Sequence, residues 1–311
     1  MLRSRIRGVG SYLPAKILRN QDLAKSLETS DEWITGRTGI KQRHIAADTE
    51  RTSDLAYEAA MDALKNSGMR ASQIDMIVLA TTTPDEIFPA TAAKVQAKLG
   101  MTSGFAFDIQ AVCSGFLYAL NVADNFIRSG QVKTALVIGA ETFSRIVDWN
   151  DRTTAILFGD GAGAVVLQAD QGDVGIIGSI LHSDGRYRDM LHTDASGKTR
   201  MQGKEVFKHA VKNLADVASE ILAEYNFKGA DIDWLIPHQA NSRIIHATAE
   251  HLGVPLHKII ETIADHGNTS AASIPLAFAT GVKDGRIKPG QLLLFEAMGG
   301  GFTWGASLAK F

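Results

Sequence analysis

The sequence repeats one pattern of helical and strand-like segments in its two halves. Ser72–Ala80, SQIDMIVLA, has a counterpart in Ala230–His238, ADIDWLIPH, and an amphipathic helical stretch precedes each segment. The same order then recurs: a Leu-Gly pair, a helix ending in a glycine turn, and an apolar strand, at residues 99–100, 129–133 and 134–139 and again at 252–253, 284–288 and 291–295. Two copies of one α/β unit are the simplest explanation.

Strands that alternate with helices predict an α/β fold in which mixed or parallel sheets are covered on both faces. The apolar strand segments suit such a buried layer. The two copies meet near Gln168–Asp173, so we expect one domain over residues 1–170 and a second over residues 171–311.

Composition narrows the classes of function. The chain has 311 residues, a net charge of −2 and one cysteine. This charge balance lacks the excess of basic residues that is typical of nucleic-acid-binding proteins. A single cysteine excludes an intramolecular disulfide and any multi-cysteine metal site. No stretch approaches the roughly 20 apolar residues of a membrane helix, and Met1–Arg7 lacks the apolar region of a signal peptide. We expect a cytoplasmic protein without a metal and without a membrane or nucleic-acid partner.

The single cysteine, Cys113, lies where an apolar strand-like run, Phe105–Ile109, gives way to a helical pattern beginning at Ser114. A thiol at a helix start is a candidate nucleophile, because unpaired backbone N–H groups and the helix dipole favour the thiolate and lower the cysteine pKa. The alternative is a buried cysteine that packs as a small apolar side chain.

Two polar segments in the second half belong to the same hypothesis. His238 follows a buried strand-like run, and Asn268 lies in a turn that matches the turn of Cys113 in the repeat. Ligand sites in α/β proteins favour the carboxyl ends of strands, so the three side chains are predicted to converge on a cleft between the halves. From these residues alone, a turn residue beside Gly267 is the preferred interpretation of Asn268.

Four short sequence motifs together resemble those of the β-ketoacyl-[acyl-carrier-protein] synthase III family: AVCSGF at 111–116, PHQAN at 237–241, HGNTS at 266–270 and GGGFTWG at 299–305. The similarity runs in order from Arg5 to Phe311. It implies a thiolase-like fold, with duplicated α/β halves in a layered αβαβα structure with mixed sheets. It also implies the decarboxylative condensation of an acyl-CoA primer with malonyl-acyl carrier protein, which begins fatty acid synthesis and releases CoA and carbon dioxide.

Relatives within that fold are distinguished by the same residues. A thiolase would need a second cysteine near its C-terminus, and elongating ketoacyl synthases use a second histidine where this chain has Asn268. Plant-type chalcone and stilbene synthases share the Cys-His-Asn set, but the sequence motifs around these three residues are different. The initiating synthase fits best.

The resemblance assigns roles to the candidate catalytic residues. Cys113 would attack the primer thioester and hold the acyl group, while the backbone N–H groups of Cys113 and Gly300 would form the oxyanion hole. His238 Nε2 and the Asn268 side-chain amide would donate hydrogen bonds to the enolate formed from the malonyl group. No cofactor is implied, because the CoA thioester is a substrate.

The same resemblance implies a CoA site. Trp33 and Arg152 match the pair that sandwiches the adenine, a stacking and cation–π arrangement. The other contacts lie along the phosphates and the pantetheine arm: Arg37, Thr38, Gly203, Phe207, Ala210 and Asn241. Taken alone, Trp33 would be read as a packing residue and Arg37 as a solvated surface charge.

The chain departs from the family pattern in the acyl pocket, where Met298 stands for a phenylalanine and Phe143 for a leucine. We hypothesise that Phe143 shortens the pocket and favours acetyl over branched or longer primers. The resemblance further implies a homodimer in which Phe105–Ile109 pairs across the axis and Phe88 reaches into the neighbour's pocket. Isologous dimers are also the commonest assembly.

Docking of the carrier protein is implied through Lys208 and Arg243, although Glu250 and His251 stand where lysines often occur. Three other interpretations stay open. The chain could be a related condensing enzyme of a specialised pathway with another primer, a Cys-His-Asn thioester hydrolase that transfers the acyl group to water, or a silent CoA-binding module.

Overall fold

The computed structural model describes residues 2–311. Two sheets organise this part of the chain. The first has the strand order β1-β7-β6-β4-β5 and the second the order β11-β12-β13-β8. Their strands are β1 Leu2–Tyr12, β4 Met76–Ala80, β5 Phe105–Ile109, β6 Thr134–Glu141, β7 Gly161–Gln171, β8 Gly175–Ser183, β11 Trp234–Pro237, β12 Leu292–Gly299 and β13 Thr303–Lys310. Two hairpin-like pairs complete the strands, β2 Lys16–Arg19 with β3 Gln42–Ile45 and β9 Leu191–Thr193 with β10 Thr199–Met201.

Both sheets are mixed, as the alternation of strands and helices predicts. In the first sheet β4 pairs parallel with β5 and β6, while β7 pairs antiparallel with β6 and β1. In the second sheet β11 pairs parallel with β12, and β13 pairs antiparallel with β12 and β8.

Helices cover every face of the two sheets. The α-helices are α1 Asn20–Leu23, α2 Asp31–Thr38, α3 Thr52–Ser67, α4 Thr91–Lys98, α5 Gly115–Arg128, α6 Arg152–Ala155, α7 Gly203–Glu224, α8 Ser242–Leu252, α9 Ile263–His266 and α10 Ser273–Lys283. α3 covers the outer face of the first sheet, and α7 covers that of the second. α5 and α10 lie between the sheets in one apolar core. The result is a five-layered αβαβα arrangement with a thiolase-like fold.

The internal repeat is visible in the structure. A 3₁₀ turn, Ala71–Gln73, leads into β4, and a matching turn, Gly229–Asp231, leads into β11. The two central helices end in the same way, at Gly130 and Gly285, whose φ angles are 77° and 79°. Left-handed backbone at a helix end favours glycine, which explains why the sequence marks both turns. The prediction of two α/β copies is confirmed.

The two central helices position the candidate catalytic residues. A 3₁₀ turn at Val112–Ser114 precedes α5, and another at Ser270–Ala272 precedes α10. Both turns lie at the carboxyl ends of the parallel strands and face each other across the interface between the halves. The fold therefore brings residues more than 150 positions apart in the chain to one place.

Across residues 2–311, no helix is both long enough and apolar enough to span a membrane.

Candidate active site

A cavity of ≈ 570 Å³ opens between the two halves, and Cys113, His238 and Asn268 all line it. We call it the main cavity. Trp33 and the exposed Arg37 line it as well. The predicted convergence of the three polar residues on one cleft is therefore found in the structure.

Cys113 is held by a tight junction between strand and helix. The chain turns at Val112, whose φ is 48°, and α5 begins two residues beyond the cysteine. The backbone at 299 passes so close that a Cβ at Gly299 would lie 2.6 Å from the Cys113 nitrogen. Only a residue without a side chain fits there, so the glycine run brings its backbone against the nucleophile, as the sequence predicts.

The expectation of a lowered cysteine pKa is wrong for the free chain. Cys113 is buried, with 4% of its surface exposed, and burial raises the pKa of its thiol to about 12. The nearby Ser270 hydroxyl opposes this effect, whereas the nearby Glu141 carboxylate adds to it. Desolvation of the anion outweighs the favourable helix start. The resting nucleophile is consequently a thiol that must lose a proton when it reacts.

His238 is fixed as a hydrogen-bond donor by its neighbours. Its backbone N–H donates to the Glu296 carbonyl at 2.7 Å, and its Nδ1 lies 2.6 Å from the Ser273 hydroxyl oxygen. Because that oxygen accepts from the Gln239 backbone N–H at 3.4 Å, the Ser273 hydroxyl proton is free to point at Nδ1. Burial lowers the pKa of His238 to about 3. The imidazole is then neutral, and when the Ser273 hydroxyl donates to Nδ1 the ring proton lies on Nε2.

Asn268 is oriented by three backbone contacts. Its N–H donates to the Leu157 carbonyl and its own carbonyl accepts from Gly159, each at 2.9 Å. Its side-chain Oδ1 accepts from the Ser270 backbone N–H at 2.9 Å. Since the amide oxygen is committed to Ser270, the Nδ2 group points away from that turn and is available as a donor.

The matching turns of the two halves are related more closely through Ser270 than through Asn268. Ser270 has a φ of 49°, nearly equal to the 48° of Val112, and both residues open the 3₁₀ turn before a central helix. The structural counterpart of Cys113 is thus Ala271, and Asn268 lies three residues earlier in the corresponding loop.

Gly300 lines a second cavity of ≈ 350 Å³, whose walls include Thr82, Val112 and Phe143. A Cβ at Gly300 would lie 2.7 Å from the Leu191 carbonyl oxygen, so this position also requires close backbone approach. Gly299 lines the main cavity and Gly300 the second one. The two cavities therefore adjoin beside Cys113.

Seven of the eight residues predicted to contact CoA line the main cavity: Trp33, Arg37, Thr38, Gly203, Phe207, Ala210 and Asn241. Arg152 does not. Its guanidinium carbon lies 4.9 Å from the centre of the Trp33 ring, and its Nη1 donates to the Glu28 carbonyl at 2.7 Å. An aromatic base between the two groups would need about 7 Å, twice a contact distance. Arg152 and Trp33 must therefore separate before they can sandwich a base.

The residues predicted for the acyl pocket divide between the cavities. Met298 lines the main cavity and Phe143 the second. Phe143 stacks on Phe158 with ring centres 4.1 Å apart, and Phe158 itself faces the main cavity. Phe88 lies apart from both, with 81% of its surface exposed.

The two predicted docking residues differ in position. Arg243 lines the main cavity at an exposed position, with its guanidinium carbon 5.1 Å from the centre of the Phe207 ring. Lys208 is exposed on α7 and does not line the cavity.

Sequence reasoning missed three residues of the site: Ser273, Ser270 and Glu141. Glu141 ends β6 and is fully buried, and it accepts hydrogen bonds from the backbone N–H groups of Thr82 and Thr83 at 3.1 Å. A charged residue directly after an apolar strand run was the signal that could have found it. The two serines carry no such mark, because small polar residues are common before helices.

No group of three or more histidine, cysteine, aspartate or glutamate side chains within residues 2–311 is arranged to hold a metal ion.

Known proteins resemble the chain over its whole length. Family models described as 3-oxoacyl-[acyl-carrier-protein] synthase III match residues 107–185 and, for the C-terminal part, residues 222–311. A β-ketoacyl-[acyl-carrier-protein] synthase III of Paramagnetospirillum magneticum is 60% identical, over 100% of this chain and 99% of the relative.

Solved structures of related synthases are similar to the chain as well. The 3-oxoacyl-[acyl-carrier-protein] synthase III of Aquifex aeolicus superimposes with a TM-score of 0.97 at 48% identity, over 99% of this chain and 100% of the other. A priming β-ketosynthase from the R1128 polyketide pathway gives a TM-score of 0.95 at 32% identity, over 99% and 96% of the two chains.

Proposed function

Because the chain belongs to the 3-oxoacyl-[acyl-carrier-protein] synthase III family, we propose that Cys113, His238 and Asn268 carry out the condensation that initiates fatty acid synthesis. The protein is an acyltransferase of the condensing type. The observation that supports the three residues is that they line a single cavity, which the exposed Arg37 and the buried Cys113 share.

In the first half-reaction Cys113 attacks the carbonyl carbon of an acyl-CoA. The new bond is between sulfur and the acyl carbon, and the bond to the CoA sulfur breaks. The oxygen that becomes negative is stabilised by the backbone N–H groups of Cys113 and Gly300. The close approach of Gly299, the residue before Gly300, to the Cys113 nitrogen supports this oxyanion hole.

In the second half-reaction malonyl-acyl carrier protein loses carbon dioxide and leaves an enolate. The enolate carbon attacks the acyl-cysteine, and the products are 3-oxoacyl-carrier protein and free Cys113. His238 Nε2 and Asn268 Nδ2 donate to the enolate oxygen. A neutral imidazole held by Ser273 and an amide held by Ser270 suit this role, because both donate without exchanging a proton.

We propose acetyl-CoA as the primer. The pantetheine arm would follow Phe207 and Ala210, with Asn241 and Gly203 beside it, and Arg37 and Thr38 would meet the phosphates. Phe143 and Phe158 stack beside the cysteine and limit the length of the acyl group. Arg152 would leave the face of Trp33 as the adenine enters. Arg243, at the cavity mouth, would meet the acidic carrier protein.

A homodimer is part of the proposal. β5 is an edge strand of the first sheet, and edge strands pair readily with another chain. Phe88 and its neighbour Ile87 are 81% and 98% exposed, which is unusual for large apolar residues. Pairing of β5 across a twofold axis would cover this segment and bring Phe88 toward the second cavity of the partner subunit.

The test is a product assay with labelled acetyl-CoA and malonyl-acyl carrier protein. Formation of acetoacetyl-carrier protein that is lost in Cys113→Ala and kept in Lys65→Ala, which changes an exposed residue of α3 outside both cavities, supports the proposal. Release of acetate without malonyl substrate would assign a thioester hydrolase instead. Turnover only with another primer would assign a specialised pathway, and CoA binding without transfer would assign a silent module.

A further inference from the structure

The first half-reaction needs an acceptor for the thiol proton of Cys113, and His238 is poorly placed to be one. When the Ser273 hydroxyl, 2.6 Å away, donates to Nδ1, the ring proton lies on Nε2. A neutral imidazole in that tautomer has no lone pair at Nε2 to accept another proton. The acceptor must lie elsewhere around the sulfur.

A buried carboxyl group, that of Glu141, also lies near the cysteine. Glu141 is fully buried at the end of β6 and is held by the segment Thr81–Thr83, whose Thr83 hydroxyl donates to it at 2.5 Å. These donors fix the carboxylate but leave it without a cationic partner among residues 2–311. A buried, unpaired acid beside a nucleophile is a frequent mark of a proton-transfer group.

Ser270 connects the two groups. Its side chain is fully buried, and its hydroxyl makes no well-formed hydrogen bond in the resting chain. The turn that carries it packs against both the cysteine turn and β6. The end of β6 lies directly against this turn, because a Cβ at Gly139, on the face of β6 that Glu141 shares, would lie 2.3 Å from the Ala271 carbonyl oxygen. The nearby Ser270 hydroxyl lowers the pKa of both Cys113 and Glu141. A hydroxyl between a donor and an acceptor can pass a proton by giving one and taking another.

We propose that Glu141 stores the Cys113 proton while the acyl-enzyme exists and that Ser270 carries it in both directions. As sulfur attacks the primer, the thiol proton moves to Ser270 Oγ and the Ser270 proton moves to Glu141. The departing CoA thiolate takes its proton from solvent. When the enolate displaces Cys113, the thiolate recovers the stored proton through Ser270. The cycle consumes one solvent proton, which ends on CoA. This inference rests on the proposed function of Cys113.

The acidity of the groups is compatible with this path. Burial raises the pKa of Glu141 to about 7, so near neutrality the carboxylate can both accept and return a proton. The titratable group with which Glu141 interacts is Cys113 itself. Acylation should therefore accelerate as Glu141 ionises, through about pH 7.

The test compares Cys113 acylation by acetyl-CoA in single turnovers, measured by quenched-flow intact-protein mass. Glu141→Gln is expected to slow acylation about 10²-fold and to remove the inflection near pH 7, because general acid–base groups contribute at least that much. Ser270→Ala should cause a similar loss, and the double variant no more than either single one, since both act on one path. Glu296→Gln, which alters another fully buried glutamate, is the matched control and should acylate at the wild-type rate.

A second readout separates proton transfer from a structural role. Decarboxylation of malonyl-carrier protein needs no cysteine proton, so it should be equal in Cys113→Ala and in Cys113→Ala/Glu141→Gln. An equal loss in both half-reactions would make Glu141 merely structural and overturn the proposal. If Glu141→Gln does not fold, Ser270→Ala decides, and wild-type acylation by that variant would also overturn it. Failure of the wild-type chain to form any acyl-enzyme would instead contradict the proposed function, and this inference with it.

Discussion

The Ser273 hydroxyl oxygen lies 2.6 Å from His238 Nδ1 and joins the start of α10 to the end of β11. This contact decides which imidazole nitrogen carries the proton. In Ser273→Ala the imidazole can adopt either tautomer, so we expect malonyl decarboxylation to fall about tenfold, the value of one hydrogen bond. Acylation of Cys113 should be unchanged. Separate rate measurements of the two half-reactions check this, and a loss confined to acylation would refute the assigned role of Ser273.

Asn268→Asp changes one donor into an acceptor with little change in shape. The Ser270 backbone N–H can still bind one carboxylate oxygen, but the other would face the developing enolate. We expect decarboxylation to slow by roughly 2.7–4 kcal/mol of barrier, about 10²–10³-fold. Acylation by acetyl-CoA is the internal control. Decarboxylation of Asn268→Asp at the wild-type rate would show that Nδ2 does not contact the enolate.

Phe143→Leu should widen the second cavity where Phe143 stacks on Phe158. The wild-type chain is expected to prefer acetyl-CoA to isobutyryl-CoA. In the variant, kcat/KM for isobutyryl-CoA relative to acetyl-CoA should rise at least tenfold, within the range of 1–3 kcal/mol for one methylene group. Competition assays with both primers measure this ratio. Equal use of the two primers by the wild-type chain would contradict the hypothesis that Phe143 shortens the acyl pocket.

Arg243→Glu tests docking of the carrier protein. Arg243 is exposed at the mouth of the main cavity, where a charge mainly affects encounter with a charged partner. We expect KM for malonyl-carrier protein to rise severalfold while acylation of Cys113 is spared. Arg243→Lys keeps the charge, and Arg70→Glu changes an exposed arginine outside the cavity lining, so both serve as controls. An unchanged KM would exclude Arg243 from the docking surface.

Glu296 makes stability depend on pH. Its carboxyl is fully buried, neither oxygen has a partner within residues 2–311, and burial raises its pKa from 4.5 to about 8. Between these values the unfolded chain releases a proton that the folded chain keeps. The contribution of Glu296 is therefore fully present below pH 4.5 and is lost as the pH rises through 8.

Glu296→Gln removes this dependence, so its Tm relative to the wild-type chain should increase between pH 5 and pH 8.5. A change of about 1.5 °C per kcal/mol is expected for a chain of this size. Thermal unfolding at both pH values measures it. A difference in Tm that is the same at both pH values would show that Glu296 is ionised in the folded chain.

Much of the fold could be predicted because its signals are local. The turns at Gly130 and Gly285 need a backbone conformation that favours glycine, and apolar runs mark β6 and β12. The repeat of these signals gives the two α/β halves. The protonation state of the Cys113 thiol could not be predicted in the same way, because its pKa depends on burial by segments that are distant in the sequence.

The polar network around the site could not be predicted from the sequence for a related reason. Glu141 and Ser270 are far apart in sequence, and only the packing of α10 against β6 brings them together. Ser273 and His238 lie 35 residues apart and meet only after the second sheet has formed. The residues that line the cavity were predictable from the resemblance, whereas those that orient them had to be found in the structure.

The central claim is that Cys113 holds the acyl group between the two half-reactions, and intact-protein mass tests it most directly. We predict that incubation with acetyl-CoA adds one acetyl group to the wild-type chain and none to Cys113→Ala. Addition of malonyl-acyl carrier protein should remove that group and yield acetoacetyl-carrier protein. An acetyl group that forms in Cys113→Ala, or that water removes as fast without malonyl substrate, would contradict the account.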